Sequence, residues 1–362
     1  MSVPLKRLTI RKHLYKMKAY TKNSILTIRK VKRKMKKRIF AIFAVMMVLF
    51  ALVGCSPKKE DPAEAKVIKV GVAIYRYDDN FMTLYREEIV AYFATLNTDA
   101  VKYEVSVVDS KNDQATQTTQ VETFINDEYD VLIINLVQSS AAAQIIEKAK
   151  AADIPLVLIN REPEAAEMEL YDKLTYVGAD AKQSGTYQGE IIVETPNSGD
   201  INGDGKVSYI MLVGDPENTD AKYRTEFSVQ ALVDAGIEVE ELFRQRGDWL
   251  QENGQQLTET ALNSYGDKIE VVFANNDAMA LGAAQAIEAA GRVVGEDIYL
   301  VGVDALPEAV LLVNEGKMTG TVLNDHVGQS HAAVDTAIKL ANGETVEKYV
   351  WVDYVKVKPE AE

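Results

Sequence analysis

The chain has 362 residues and a formal net charge of −14, with 54 acidic and 40 basic side chains. The charge is unevenly divided along the chain. Residues 1–54 hold 15 Lys and Arg and no acidic residue. Residues 55–362 therefore hold 25 basic and 54 acidic side chains, a net charge of −29. Such an acidic body lacks the basic surface that nucleic-acid binding requires and is compatible with a soluble extracellular domain.

The basic N-terminal segment is typical of a secretory signal peptide. Residues 39–54 form an apolar run of 16 residues behind the basic residues 36–38 (KKR), which is too short for a comfortable membrane span. The run ends at residues 52–55 (LVGC), which resemble the lipobox of bacterial lipoproteins, where cleavage leaves a lipid-bearing cysteine at the N-terminus. Cys55 is the only cysteine, so its thiol has no intramolecular disulfide partner. We expect lipidation at Cys55; the alternative is a short signal anchor with an incidental cysteine.

Residues 1–34 exceed what the basic head of a signal peptide needs. Met35, followed directly by the basic residues 36–38, is a natural start for such a signal. We therefore expect translation to begin at Met35, and the alternative is a long basic leader.

The remainder of the chain has the pattern of an α/β protein. Residues 56–66 (SPKKEDPAEAK) contain no large apolar residue and predict a flexible tether. From Val67 onward, β-branched apolar runs alternate with amphipathic segments of helical length, which predicts parallel sheets covered by helices on both faces. A body of roughly 290 residues is near the upper limit for one hydrophobic core, so we expect two lobes.

Polar side chains follow most of the predicted strands. In open parallel sheets, ligands bind beyond the carboxyl ends of the strands. Each Asp or Asn there is also a good helix N-cap, but several stand in clusters larger than a cap requires. Amides, carboxylates and Arg can together satisfy the hydroxyls of a sugar, and aromatic faces can cover its C–H faces. The sequence therefore indicates a sugar site, with these groups at the strand ends: residues 77–81, Asn135, Asn160, Arg161, residues 215–220, residues 275–277 and Asp304.

Six segments strongly resemble the galactose/glucose-binding protein of bacterial ABC sugar importers. They stand in the family's order and nearly its spacing, and the resemblance covers residues 67–357. It implies two doubly wound parallel-sheet lobes joined by three hinge strands, the fold of type I periplasmic binding proteins. The segments are residues 70–82 (VGVAIYRYDDNFM), 134–137 (INLV), 171–178 (YDKLTYVG), 269–279 (IEVVFANNDAM), 301–309 (VGVDALPEA) and 320–325 (GTVLND).

The resemblance also implies lobe boundaries and contact residues. Its crossovers fall near residues 153–156, 323–326 and 350–354, which gives an N-terminal lobe of residues 67–154 plus 326–352 and a C-terminal lobe of residues 155–325 plus 353–357. Phe81 and Trp249 are the implied aromatic sandwich. Asn218 stands where well-known members have His, which bears on the preference among hexoses. The implied polar sugar contacts are Asp79, Asn135, Asn218, Asp220, Arg224, Asn276, Asp304 and Asn324.

A Gly-, Asn- and Asp-rich loop at residues 200–208 (DINGDGKVS) has the front half of an EF-hand pattern. Position 12 of that pattern would be Met211, which cannot bind calcium, so a solvated Asx-rich turn is an equally good interpretation of the loop alone. The resemblance implies that the missing bidentate carboxylate is Glu270, on a distant strand. We expect a structural Ca²⁺, with Ser208 bound through water, and these ligands: Asp200, Asn202, Asp204, the carbonyl of Lys206, Ser208 and Glu270.

Two other classes of function compete with a binding protein. The chain contains no GxSxG, HExxH or P-loop motif, although paired carboxylates such as Asp79 and Asp304 leave glycoside hydrolysis open on spacing alone. Sugar-responsive repressors share the two-lobed core, but a signal peptide stands here in place of their DNA-binding segment. We expect no enzyme activity, and a monomer on the outer face of the cell membrane that closes on galactose or glucose and serves an ABC permease. Binding of another hexose or pentose, or coupling to a chemoreceptor or sensor kinase, stays open.

Overall fold

The computed structural model describes residues 65–359, so the predicted signal peptide, Cys55 and most of the tether lie outside the described residues. In chain order, the elements up to the first crossover are β1 (Lys66–Ile74), α1 (Asn80–Leu96), β2 (Val101–Asp109), α2 (Gln114–Asn126), β3 (Val131–Ile134), α3 (Ala142–Ala151), β4 (Leu156–Ile159), α4 (Ala165–Met168) and β5 (Leu174–Gly178). The elements that follow are α5 (Ala181–Val193), β6 (Lys206–Val213), α6 (Thr219–Asp234), β7 (Glu238–Arg246), α7 (Gln251–Tyr265), β8 (Val271–Ala274), α8 (Asp277–Ala289), β9 (Tyr299–Val301), α9 (Pro307–Asn314), β10 (Thr321–Leu323), α10 (His326–Ala341), β11 (Tyr349–Trp351) and β12 (Val355–Val357).

Two parallel sheets organise the described residues. The first has six strands in the order β11-β5-β4-β3-β1-β2, and the second has four in the order β7-β6-β8-β9. A short antiparallel pair of β10 and β12 lies beside the second sheet, since β10 is joined to the region after β9 by parallel bridges. Strand order that reverses within each sheet, with helices between strands, is the doubly wound arrangement. The predicted fold class is confirmed.

Each lobe has a hydrophobic core on both faces of its sheet. On β3, Val131 and Ile133 belong to one buried cluster, while Leu132 and Ile134 belong to another. Strand β8 divides its side chains in the same way between the two clusters of the second lobe. Because successive side chains point to opposite faces, a strand covered on both sides is apolar throughout, which is why these strands show no alternation in the sequence.

Close helix packing in the second lobe depends on glycines at the helix contacts, and Gly189 and Gly282 are two of them. A Cβ on Gly189 of α5 would lie 2.3 Å from the carbonyl oxygen of Ser228 in α6. A Cβ on Gly282 of α8 would lie 2.0 Å from the carbonyl oxygen of Gln251 in α7. Any side chain at these positions would force the helices apart and loosen the lobe that carries much of the strand-end chemistry described below.

The first crossover lies later than expected. Strands β4 and β5 both pair within the first sheet, with Leu132 opposite Leu156 and Leu158 opposite Tyr176. The chain therefore leaves this lobe after Gly178, and the expected boundary at residues 153–156 is wrong. The apolar runs of β4 and β5 could fit either lobe by composition, and only their pairing decides the lobe. The chain returns to the first lobe between β10 and α10, and it leaves the first lobe again between β11 and β12. Within residues 65–359, no helix is long and apolar enough to cross a membrane.

Candidate functional site

A cleft between the two lobes gathers the polar strand ends. It contains about 320 Å³ of space not filled by atoms, a figure that includes open solvent at its mouth. Nine of the ten predicted sugar-contact residues line it. The lining residues are Tyr75, Asp79, Phe81, Met82, Asn160 and Arg161 from the first lobe, and Asn218, Asp220, Arg224, Trp249, Asn276, Asp304 and Asn324 from the second lobe and the crossover.

Three lining residues are also helix N-caps. Asp79 accepts a hydrogen bond from the backbone N–H of Met82 at the start of α1, at 2.8 Å. Asn218 caps α6 and Asn276 caps α8 through their side-chain oxygens. The cap interpretation is confirmed, and it is compatible with a role in the site, because the cap holds one atom of each side chain and thereby fixes where the remaining polar atoms lie.

The first-lobe wall is built around Tyr75. Its phenol donates a hydrogen bond to Oδ2 of Asp79 at 2.5 Å, and the guanidinium of Arg161 stacks 3.9 Å from the centre of its ring. Burial, and secondarily the negative charge of Asp79, raises the pKa of Tyr75 well above its ordinary value. The phenol therefore stays protonated and keeps donating, which orients the Asp79 carboxylate toward the cleft.

The second-lobe wall is built around the buried Arg224. Its guanidinium donates to the carbonyl oxygen of Asn275 at 2.9 Å and to the phenol oxygen of Tyr354, in the last crossover, at 3.0 Å. Its Nη2 also lies 3.5 Å from Oδ2 of Asp220, one helical turn away on α6. Burial raises the pKa of Asp220, and the charge of Arg224 opposes that rise. This arrangement connects the cleft directly to a segment that crosses between the lobes.

Asp304 is the most constrained carboxylate of the cleft. Its backbone has φ of +126° and the next residue, Ala305, has φ of +52°, a conformation that costs of order 1–3 kcal/mol for non-glycine residues. Asn324 donates to its Oδ1 at 3.2 Å. Burial raises the pKa of Asp304 well above its ordinary value, with Arg224 acting in the opposite direction. A buried carboxylate held in this way is stabilised when a ligand donates hydrogen bonds to it.

Trp249 forms one aromatic wall and occupies a space left by a glycine. A Cβ on Gly214 would lie 2.2 Å from the indole ring, so no larger residue fits there without moving the ring. The backbone carbonyl of Trp249 accepts a hydrogen bond from Nδ2 of Asn276 at 3.2 Å. Its indole Nε1 is buried and has no hydrogen-bond partner among the described residues, which makes it an available donor. Phe81 of α1 lines the same cleft.

Asn135 is the one predicted contact residue that does not line the cleft. It is fully buried behind the wall, where its side-chain oxygen accepts from the backbone N–H of Tyr75 at 3.2 Å and its amide donates to Oδ1 of Asn160 at 3.1 Å. Asn135 is therefore a positioning residue, because it holds two lining residues. Asn160, which follows the neighbouring strand, has a left-handed backbone with φ of +63° and lines the cleft.

Four lining residues were not among the predicted contacts. Asn160 and Arg161 follow β4 in the same way that Asn135 follows β3, and the strand-end rule included them, although the family resemblance did not imply that they contact the sugar. Tyr75 directly precedes the polar segment after β1, and Met82 follows Phe81 at the start of α1. No sequence signal distinguishes Tyr75 or Met82 from core residues, since both side chains are almost completely buried.

The loop after α5, residues 200–208, holds several side-chain oxygens against its own backbone N–H groups. Glu270 is 1% exposed, and its oxygens accept hydrogen bonds from the backbone N–H groups of Ile201 at 2.8 Å and Ser208 at 2.8 Å. Asp200 accepts from the N–H groups of Gly203 and Gly205. The atoms that would coordinate a metal in this loop are all oxygens, which suits Ca²⁺. Within residues 65–359, however, no three Asp, Glu, His or Cys side chains come close enough to hold a metal by themselves, so the calcium site stays a prediction.

Comparisons with known proteins agree with this geometry. The D-galactose/methyl-galactoside binding periplasmic protein MglB of Haemophilus influenzae is 39% identical over 281 residues, which are 76% of this chain and 82% of that protein. The ribose import binding protein RbsB of Bacillus subtilis is 28% identical over 324 residues, which are 87% of this chain and 97% of that protein. An ABC transporter solute binding protein from Bacillus halodurans, solved with bound myo-inositol, superposes with a TM-score of 0.70 at 30% identity, covering 83% of this chain and 96% of that one.

Two doubly wound lobes that enclose a polar, aromatic-lined cleft define a two-lobed binding protein for a small solute. A family profile described as a periplasmic binding protein domain matches residues 70–345. The chain therefore belongs to the periplasmic binding protein family, in the group that serves ABC sugar importers, and it is a binding protein and not an enzyme.

Proposed function

We propose that this protein captures D-galactose and D-glucose and delivers them to the permease of an ABC importer. The observation that carries the proposal is the cleft, in which carboxylates, amides and guanidinium groups from both lobes surround a space covered by Phe81 and Trp249. This combination matches the alternating hydroxyls and C–H faces of a pyranose. The 39% identical relative from Haemophilus influenzae, described as binding D-galactose and methyl-galactoside, supports the hexose assignment.

The proposed mechanism is closure of the lobes on the sugar. Polar groups of the first lobe and of the second lobe each satisfy part of the ligand, so the sugar binds the closed form more tightly than the open form. A ligand that lacks one hydroxyl leaves a buried partner unpaired, at a cost of about 1–3 kcal/mol. Selectivity among sugars follows from that cost.

Isothermal titration calorimetry of the purified full-length chain tests the ligand assignment. The panel consists of galactose, glucose, ribose, arabinose and myo-inositol, with sucrose as a ligand too large for the cleft. We expect the tightest binding for one of the two hexoses. Binding of ribose, arabinose or myo-inositol without binding of either hexose would overturn the assignment while leaving the protein a sugar-binding component.

A second candidate ligand is another cyclic polyol of similar size. Arg161 adds a guanidinium to the first-lobe wall beyond the groups that were assigned to a hexose, and a solved relative at 30% identity holds myo-inositol. A further guanidinium favours a ligand with an additional hydroxyl acceptor on that side. The same titration panel decides between the two candidates, because myo-inositol is tested beside the hexoses.

We further propose a structural Ca²⁺ held by Asp200, Asn202, Asp204, the carbonyl of Lys206 and Glu270, with Ser208 reached through water. The buried Glu270 carboxylate beside the loop supports this assignment, since a divalent cation would neutralise it. Thermal unfolding is to be measured with Ca²⁺ and with EDTA, on the original chain, on Glu270→Gln and on the exposed control Glu259→Gln. We expect Ca²⁺ to raise the Tm by several degrees except in Glu270→Gln. An unchanged Tm of the original chain in EDTA would rule the site out.

The lipid anchor at Cys55 and the monomeric state belong to the same proposal. The anchor rests on the lipobox-like residues 52–55, and two acyl chains give stable membrane attachment. Cys55→Ser should release the protein from the membrane fraction or leave it uncleaved, with a mass lacking the lipid. Retention with an unchanged mass would contradict lipidation. Light scattering of the detergent-solubilised protein measures the oligomeric state.

A further inference from the structure

Two arginines of the first lobe reach across the cleft to a charged rim on the second. Arg76 follows β1 directly, and its Nη2 donates to the backbone carbonyl of Asp248 at 3.1 Å. Arg161 follows β4, and its Nη1 lies 3.9 Å from Oδ2 of Asp215. Both acceptors belong to loops of the second lobe, so these contacts can form only when the lobes are closed. Neither Arg76 nor Asp248 lines the cleft itself.

Arg76 also has neighbours on its own lobe that restrain its side chain. Its side chain is 11% exposed, its Nε lies 3.2 Å from Oδ1 of Asp78, and its guanidinium lies 5.2 Å from the ring centre of Tyr75. A guanidinium fixed by a carboxylate and a ring loses less freedom when it forms a further hydrogen bond. The first lobe thus presents a positioned donor to the closing second lobe.

The acceptor belongs to the turn that carries Trp249. Asp248 and Trp249 are consecutive residues with left-handed backbones, at φ of +55° and +67°. Such a turn needs support, because non-glycine residues rarely adopt this conformation. Arg246 supports it through the Asp248 carboxylate, and Asn276 supports it through the Trp249 carbonyl at 3.2 Å. The Asp248 carbonyl, which is the peptide group joining Asp248 to Trp249, is supported from the opposite lobe by Arg76.

We propose that Arg76 is a positioning residue that locks Trp249 over the bound sugar when the lobes close, with the Arg161–Asp215 contact as a second, weaker part of the same latch. The inference rests on the proposed sugar-binding function. Closure places the Arg76 guanidinium on the peptide group next to Trp249, so the turn that carries the indole ring gains this additional support only in the closed state. Loss of Arg76 therefore acts on sugar release, which requires opening, and leaves sugar entry into the open cleft largely unaffected.

The experiment uses the two tryptophans of the chain. Trp351 is 46% exposed on β11 and stacks on Tyr349, away from the cleft, so Trp351→Phe leaves Trp249 as the only tryptophan reporter. In this background, Arg76→Met removes the donor at similar side-chain length. Arg86→Met is the matched control, because Arg86 stacks on Tyr77 within the first lobe at 4.0 Å. Stopped-flow fluorescence with the tightest-binding sugar of the titration panel gives the rates of binding and release.

We expect Arg76→Met to speed sugar release about tenfold with the binding rate changed less than twofold, and to shift the emission of Trp249 in the sugar-saturated protein toward that of the sugar-free protein. Arg76→Lys, which retains a charged donor, should recover part of both effects. The Tm without sugar should be unchanged, which separates positioning from a general loss of stability. Unchanged release and emission in Arg76→Met, or equal effects in Arg86→Met, would overturn the latch alone. Absence of binding to any sugar by the original chain would overturn the proposed function, and the latch with it.

Discussion

The two walls of the cleft solve the same recognition problem in different ways. In the first-lobe wall the carboxylate and the amide are held internally: Asp79 caps α1 and accepts from Tyr75, and Asn160 is held by Asn135. The second-lobe wall concentrates buried charge around Arg224, and burial raises the pKa values of Asp220 and Asp304. The second wall therefore gains more from a ligand than the first. A sugar is expected to dock against a prepared first wall and to be held by the second.

Paired carboxylate-to-amide substitutions should show the largest effect of this difference. Asp304→Asn removes a buried charged acceptor, and we expect sugar affinity to fall at least 100-fold, or about 3 kcal/mol. Asp79→Asn retains an N-cap residue and an acceptor for Tyr75, so we expect a loss of only about tenfold. Calorimetry on both variants measures the effects, with circular dichroism as the check on folding. Equal losses in the two variants would show that the walls do not differ as argued.

Gly214→Ala should show the next largest effect, because it disturbs the second wall sterically. The added Cβ would lie 2.2 Å from the Trp249 ring, so the ring must move into the cleft or out of the lobe. We expect about a tenfold loss of sugar affinity and a changed Trp249 emission, with little change in the Tm of the sugar-free protein. Full affinity in this variant would mean that Trp249 does not cover the sugar.

A smaller effect on sugar affinity should come from the protonation of Glu162, which lies where the two lobes meet. Glu162 follows β4 in the first lobe, and its carbonyl accepts from the Thr219 hydroxyl of the second lobe at 3.1 Å. Burial, and secondarily the charges of Asp220 and Asp180, raises the pKa of Glu162 to about 7, while Lys182 acts in the opposite direction and Glu164 adds to the rise.

The sign of the pH effect follows from that raised pKa. The closed form binds a proton that a solvated Glu releases near its ordinary pKa of 4.5. Closure is therefore favoured most below pH 4.5, and this contribution is lost progressively as the pH rises from 4.5 through about 7. Because Glu162 is partly exposed, we expect only about a threefold fall in sugar affinity between pH 6 and 8. Glu162→Gln should flatten the profile and Glu164→Gln should not. A slope that persists in Glu162→Gln would place the titrating group elsewhere.

The contrast between the walls also shows what could be predicted from the sequence. Strand-end positions gave nearly all of the cleft, since parallel sheets bring their carboxyl ends to one edge. The sequence did not separate Asn135, which supports the wall, from Asn160, which forms part of it, because that depends on the left-handed backbone at Asn160. The implied boundary also placed β4 and β5 in the wrong lobe, because their apolar runs lack any feature that specifies a pairing partner.

The smallest expected effect concerns selectivity within the second wall. Asn218 is 4% exposed, and its side-chain oxygen caps α6 by accepting from the N–H of Asp220 at 2.9 Å, which leaves its amide N–H groups for the ligand. His at this position offers a single ring donor with a different reach and caps less well. We expect Asn218→His to change the ratio of galactose to glucose affinity by about threefold, while the tighter of the two affinities changes little. Competition titration with the two hexoses measures that ratio directly. An unchanged ratio would assign discrimination at the sugar's epimeric hydroxyl to Asp79 and the first wall, and would reverse the division of roles between the walls.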